Sequence, residues 1–281
     1  MSETEKASSK NSDLPARFAA GVVMIAVALA ATYVGGWPFR SLIFVAAAVM
    51  MIEWSDMHRV PRLWAWTGIV LLAATLLGVA EYLYPVSEWL EEIPEEATSE
   101  AFAANWAGFA IIAGMALLLG ILSRRAVMAW GFVYLALPSF ALLSLSWVWE
   151  TPVFWIFVVT WATDIFAYFA GRAIGGPKLA PRISPNKTWA GLIGGIAGAA
   201  LLGWLLATWF EMEPFFLWMG GPMAAVAQAG DLYESWLKRR AGIKDSGSLL
   251  PGHGGVLDRL DGMLAVSFAT MILLMAGFWT T

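Results

Sequence analysis

A chain of 281 residues with 59% hydrophobic and only 14% charged side chains is too oily for a water-soluble domain, in which about 25% of residues are charged. Cysteine is absent, which excludes disulfides, thiolate nucleophiles and cysteine-based metal sites. The net charge of −4 says little alone, because in a membrane protein the location of charge matters more than its sum; no nucleic-acid partner is expected.

In chain order, the polar segment 1–16 reads as a disordered tail. Continuous apolar runs follow near 17–36, 37–54, 64–84, 102–122 and 126–146, then near 152–171, 188–210, 214–233 and 262–280. Each approximates the roughly 20 residues needed to cross a bilayer core of about 30 Å. None alternates as a membrane strand does. The expected fold is all-α, a polytopic integral membrane protein with about nine transmembrane helices. N-terminal helices occupy 17–146 and a C-terminal transmembrane region 152–281. The Ala-rich end of the first run, VALAATYVGG, resembles a signal-peptide cleavage region, but the run is long and the tail carries both charge signs, which favours a retained helix.

The loops test that count. Nine spans put sixteen of the seventeen Lys and Arg residues on one side and leave Arg40 on the other. The opposite loops hold Glu88 to Glu100, Glu150, Glu211 and Glu213. Positive loops face the cytoplasm. The N-terminus is therefore expected inside and the C-terminus outside, and the seventeen tryptophans suit the two interfaces. The chain carries no convincing internal repeat, which weakens a transporter reading.

Chemistry-bearing groups gather toward the basic side of the second half. Asp164 lies within the 152–171 span and shares a helical face with Tyr168 and Arg172; an ionisable group inside a span marks a functional-site candidate. The stretch GGPKLAPRISPNKTWAG that follows is expected to be a loop, since its glycines and prolines forbid a continuous helix. It presents Lys178, Arg182, Ser184, Lys187 and Thr188 ahead of a helix N-terminus, where an anionic phosphate is favoured. Farther on, Asp231, Glu234, Ser235 and Lys238 fall on one helical face. Asp258 and Asp261 are expected just before the last span. Between these groups lies IKDSGSLLPGHGG, whose glycines allow a nest of amides for an anion. His253 within it reads equally as a base, a phosphate donor or a turn residue. Aspartates with open oxygens suit Mg²⁺, which takes one or two carboxylates plus substrate phosphates, with room for a second cation. No histidine spacing suits zinc. Such equipment fits phosphoryl or nucleotidyl transfer.

The run SWLKRRAGIKDSGSLLPGHGGVLDRLD, from Ser235 to Asp261, resembles the signature of the phosphatidate cytidylyltransferase (CDP-diacylglycerol synthase) family. Ser235, Lys238, Arg239, Lys244, Asp245, Pro251, His253, Gly254, Gly255, Asp258, Arg259 and Asp261 carry the match. It continues upstream through GDLYES, ISPNKTW and DIFAYFAGR and covers roughly 152–281. The chain departs from the pattern at Asn186, Ala190, Phe166 and Gly262. The resemblance implies that CTP and phosphatidate react to CDP-diacylglycerol and pyrophosphate with a divalent metal. Asp231 and Asp258 would be its ligands, with Asp164 and Asp261 in support. Ser184, Lys187, Thr188, Lys244 and the His253–Gly255 turn would hold phosphates, and the remaining basic and polar positions would line the substrate site. The resemblance also implies a homodimer in the inner membrane, with lipid entering sideways at the cytoplasmic interface. Two other readings stay open: an enzyme acting on an isoprenoid lipid, such as a lipid kinase, and a transporter using Asp164 and Asp231.

Overall fold

The computed structural model of the protein describes residues 14–83, 95–148, 150–249 and 254–277. Helix α1 spans Leu14–Val34, α2 Gly36–Met57, α3 Arg62–Leu83, α4 Glu95–Ser123, α5 Ala126–Val148 and α6 Glu150–Ile174. Strands β1 (Lys178–Ala180) and β2 (Ser184–Thr188) precede α7 (Trp189–Trp209), the short α8 (Pro214–Trp218), α9 (Gly220–Ala241) and α10 (Leu257–Met275). The all-α membrane architecture is borne out: α2, α3, α5, α6, α7 and the 105–123 part of α4 are long and apolar enough to cross a bilayer. The other three expected spans correspond in position to α1, α9 and α10. Their polar ends, or in α1 a shorter apolar stretch, keep them below that measure among the described residues.

Several expected boundaries are corrected. The 176–188 segment is not a loop but a two-stranded antiparallel hairpin, with Lys178 opposite Thr188 and Ala180 opposite Ser184. The eighth span runs on past 233 to Ala241, so Lys238, Arg239 and Arg240 form the last turn of α9. There they complement the helix dipole, and Gly242, at φ 75°, ends the helix in the left-handed region. The last helix starts at Leu257, so Asp258 and Asp261 lie on it rather than before it. Part of the acidic stretch expected as an outer loop, Glu95 to Glu100, belongs to α4, and α1 begins inside the expected tail.

Helix α5 is the hub. It packs on α2, α3, α4, α6 and α10, with Phe132, Leu135, Ala136 and Phe140 fully buried. The most extensive helix pair is α6 with α7. Small residues permit it: a Cβ on Gly191 would stand 2.9 Å from the Ala167 carbonyl oxygen, and one on Gly195 2.9 Å from that of Thr163. Backbone-close packing of this kind is how helices associate in lipid. It brings the polar end of α6 against Thr188 and the hairpin. The departure at Phe166 is accommodated in the same interface, since its ring fills the place a side chain on Gly198 would take.

Replacing Gly191 and Gly195 together by Ala should force α6 and α7 apart and cost about 1–3 kcal/mol, the usual range for overpacking. Thermal unfolding in detergent should show a clear loss, whereas Gly78→Ala, where a Cβ meets nothing within 4 Å, should not. Equal melting temperatures for all three proteins would contradict the glycine seam.

Candidate functional site

Two polar assemblies meet along α9. The first is a cavity of about 500 Å³ lined by Asp164, Tyr168, Gly171 and Arg172 of α6, Asn186, Lys187 and Thr188 of β2, and Gln228 and Asp231 of α9. Lys187 bridges it: its Nζ lies 2.5 Å from Asp231 Oδ2 and donates to Gln228 Oε1 at 2.9 Å. Asp231 Oδ1 accepts from Ser235 Oγ at 3.3 Å, and Arg172 donates to the Tyr168 hydroxyl at 2.7 Å. Asp164 feels Asp231 as its acidic neighbour, with Lys187 and Arg259 as the cations facing it. Thr188 caps α7 by accepting from the Gly191 amide at 3.0 Å. The i, i+4, i+8 spacing of Asp164, Tyr168 and Arg172 does place all three on one wall.

The second assembly fastens the glycine-rich stretch. Lys238 donates to Asp258 Oδ1 at 2.6 Å and to Glu234 Oε2 at 3.1 Å, and its own residue and Glu234 are buried. The Asp258 carboxylate also accepts from the amides of Ser246 at 2.9 Å and Gly255 at 2.8 Å. Asp261 sits next along α10, with Asp231 and Glu234 as acidic neighbours. Arg239 ties the hairpin to the end of α9, donating to the carbonyls of Ile183 at 3.4 Å and Ile243 at 3.1 Å. The amides expected as an anion nest are therefore partly engaged by the protein's own carboxylates. Arg182, Lys244, Asp245 and Arg259 lie exposed outside the cavity lining, and Ser184 opens β2, half-buried. His253 lies outside the described residues.

Sequence reasoning missed two residues. Gln228 steadies Lys187. Glu53, from α2, is only 5% exposed and holds the start of α10: its carboxylate accepts from the amides of Val256 and Leu257, both at 2.8 Å, and from Ser246 Oγ at 3.1 Å. This explains why α10 begins at Leu257, since Glu53 satisfies two amides that a helix N-terminus leaves open. It also explains two glycines, because a Cβ on Gly247 or Gly255 would fall 2.7 or 2.6 Å from Glu53 Oε1. An acid in the middle of the apolar run VMMIEWSDM is the signal that would have found it.

Among the described residues, no three His, Asp or Glu side chains converge as a self-sufficient metal centre. Of the available carboxylate donors, Asp231 stands against Lys187 and Glu234 and Asp258 against Lys238. That set suits a hard cation completing its shell with phosphate and water, as Mg²⁺ does, and not a protein-enclosed zinc.

Residues 15–276 match the sequence profile of the cytidylyltransferase family. The chain is 38% identical to the phosphatidate cytidylyltransferase of Brucella abortus over 272 residues, covering 91% of each chain. It is 49% identical over 117 residues to the enzyme of that name from Helicobacter pylori, covering 40% of this chain and 42% of that one. Over 128 residues it is 44% identical to that from Pseudomonas aeruginosa, 44% of this chain and 47% of the relative. The likeness thus reaches well beyond residues 152–281 into the helix that carries Glu53.

Glu53→Ala strands two helix-terminal amides and a buried hydroxyl, each worth about 1–3 kcal/mol when left unsatisfied. Hydrogen exchange at Val256 and Leu257 should accelerate at least tenfold on that scale, with smaller change at residues of α3. Unchanged exchange at both amides would show that Glu53 does not hold the turn.

Proposed function

Because the chain belongs to the cytidylyltransferase family, we propose that it transfers the cytidylyl group of CTP to phosphatidate, yielding CDP-diacylglycerol and pyrophosphate. The observation that carries this reading is the cavity in which Asp164, Asp231, Lys187 and Arg172 face one another between apolar helices. Anion-binding cations, carboxylates and a lipid-facing wall meet there at one end of the bundle.

In the proposed reaction an ionised phosphate oxygen of phosphatidate attacks the α-phosphorus of CTP. The bond from that phosphorus to the β-bridging oxygen breaks, and pyrophosphate leaves with the electron pair. Since the nucleophile is already largely ionised near neutral pH, no strong base is needed, and positioning with charge neutralisation is most of the catalysis. Lys187 and Arg172 are assigned to phosphate oxygens inside the cavity. Thr188 is assigned to them on the cavity wall, and Ser184, Arg182, Lys244, Arg259 and His253 outside its lining. Tyr168 orients Arg172, Ser235 orients Asp231, and Lys238, Arg239, Asp245, Gly254 and Gly255 shape the turn beside it. Asp231 and Asp258 are the proposed ligands of Mg²⁺, with Asp164 and Asp261 adding negative charge. When bound, the ion supplies charge neutralisation to the triphosphate and its leaving group. The reading includes an inner-membrane location, a cytoplasmic basic end and N-terminus, an outer C-terminus, and a homodimer.

The test is purified protein supplied with CTP, phosphatidate and Mg²⁺. Pyrophosphate should appear only when both substrates are present, in step with CDP-lipid. Asp231→Asn should lower turnover at least 100-fold, on the scale of removing an electrostatic catalytic group, and should weaken Mn²⁺ binding measured by electron paramagnetic resonance. Release of CDP rather than pyrophosphate would make the protein a lipid kinase, and near-normal turnover of Asp231→Asn at saturating Mg²⁺ would remove that ligand. Orientation is checked separately: Glu213→Cys should label from outside intact cells and Arg125→Cys only after permeabilisation, and the reverse pattern would invert the topology.

A further inference from the structure

A second, larger cavity of about 650 Å³ lies on another side of α9, between that helix, the end of α2 and the start of α5. Its walls include Trp54, Trp130, Tyr233 and Trp236, and its basic groups are His58, Arg59 and Arg240. At 100° per residue, Tyr233, Trp236, Leu237 and Arg240 share the face of α9 opposite Gln228 and Asp231, so this is not an arm of the cavity described above. Among the described residues no carboxylate lines it, which leaves no anionic ligand there for a metal ion.

We propose that this cavity binds the phosphate headgroup of an anionic phospholipid from the surrounding membrane, at a site separate from the reacting substrates. Three observations point there. Neither Arg59 nor Arg240 has an acidic partner among the described residues, so among those residues the cavity's positive charge is not neutralised by a carboxylate. The aromatic wall is already organised: Trp130 Nε1 donates to the Tyr233 hydroxyl at 2.6 Å, and the Arg240 guanidinium stacks 4.8 Å from the Trp236 ring centre. Finally, the cavity sits where the end of α2 and the start of α5, two helices long and apolar enough to cross a membrane, meet the basic last turn of α9; basic pockets between membrane helices take lipid headgroups, and tryptophan prefers the interface. Ordinary positive-inside charge accounts for arginines at a helix end. It does not account for their convergence, without an acidic partner among the described residues, on an aromatic cavity far larger than an inorganic phosphate. A lipid bound here would brace α2 against α9 beside Glu53 and Lys238, the two residues that fasten the turn.

Delipidated protein in neutral detergent can be titrated with phosphatidylglycerol, phosphatidylcholine and inorganic phosphate, with adducts resolved by native mass spectrometry in the presence and absence of excess CTP. Because binding is read without turnover, failure of this site and failure of the proposed reaction are distinguishable. The expected result is a saturable phosphatidylglycerol adduct that persists with CTP and in Asp231→Asn, and that Arg59→Ala/Arg240→Ala weakens by about tenfold or more, the effect of removing two interfacial arginines. An adduct unaffected by the double substitution, equal uptake of phosphatidylcholine, competition by inorganic phosphate alone, or displacement by CTP would each overturn the proposal.

Discussion

Lys238 is the interaction on which the rest depends. Its ammonium lies between the carboxylates of Glu234 and Asp258 in a part of the bundle where an unpaired charge is strongly destabilising. One partner is on its own helix and the other on the first turn of α10, so neutralising Lys238 fixes the start of α10 against α9. Asp258 then has acceptor capacity left for the amides of Ser246 and Gly255. A single buried cation thereby sets the path of the glycine-rich stretch and the positions of Asp258 and Asp261.

Glu53 makes the same device reach across the molecule. It comes from the N-terminal half, about two hundred residues away in sequence, yet it terminates the helix that carries two of the proposed site aspartates. The N-terminal helices are therefore more than a lipid anchor. On the other flank, the glycine seam between α6 and α7 lets Asp164 and Arg172 approach Lys187 and Thr188. The cavity lies beside the helix pair that packs backbone to backbone, and the Lys187–Asp231 bridge ties α9 to β2 across it.

Much of this was legible in the sequence. Long apolar runs located the helices because bilayer thickness sets their length, and the helical spacing of Asp164, Tyr168 and Arg172 and of Asp231 and Ser235 placed those groups correctly. The misreadings share a cause: they depend on partners distant in sequence. The apolar span ended at 233 because the charged turn that follows looked exposed, whereas the helix runs on to Ala241 and Lys238 is neutralised by an acid twenty residues on. The start of α10 was placed too late because its capping group lies on α2. The hairpin at 178–188 was unreadable, since strands of three and five residues rich in proline and charge show no apolar alternation. The glycines near 247 and 255 suggested a ligand nest; in the fold they also make room for Glu53, a packing role that no local motif announces.

The most direct test of the whole account is a structure of the protein with CTP and Mg²⁺ in the absence of phosphatidate, so that no turnover occurs. The triphosphate should lie in the cavity between α6, β2 and α9, against Lys187 and Arg172, with the cation on the Asp231 side. A nucleotide seated instead against Arg59 and Arg240, or anywhere along α1 to α5, would contradict it.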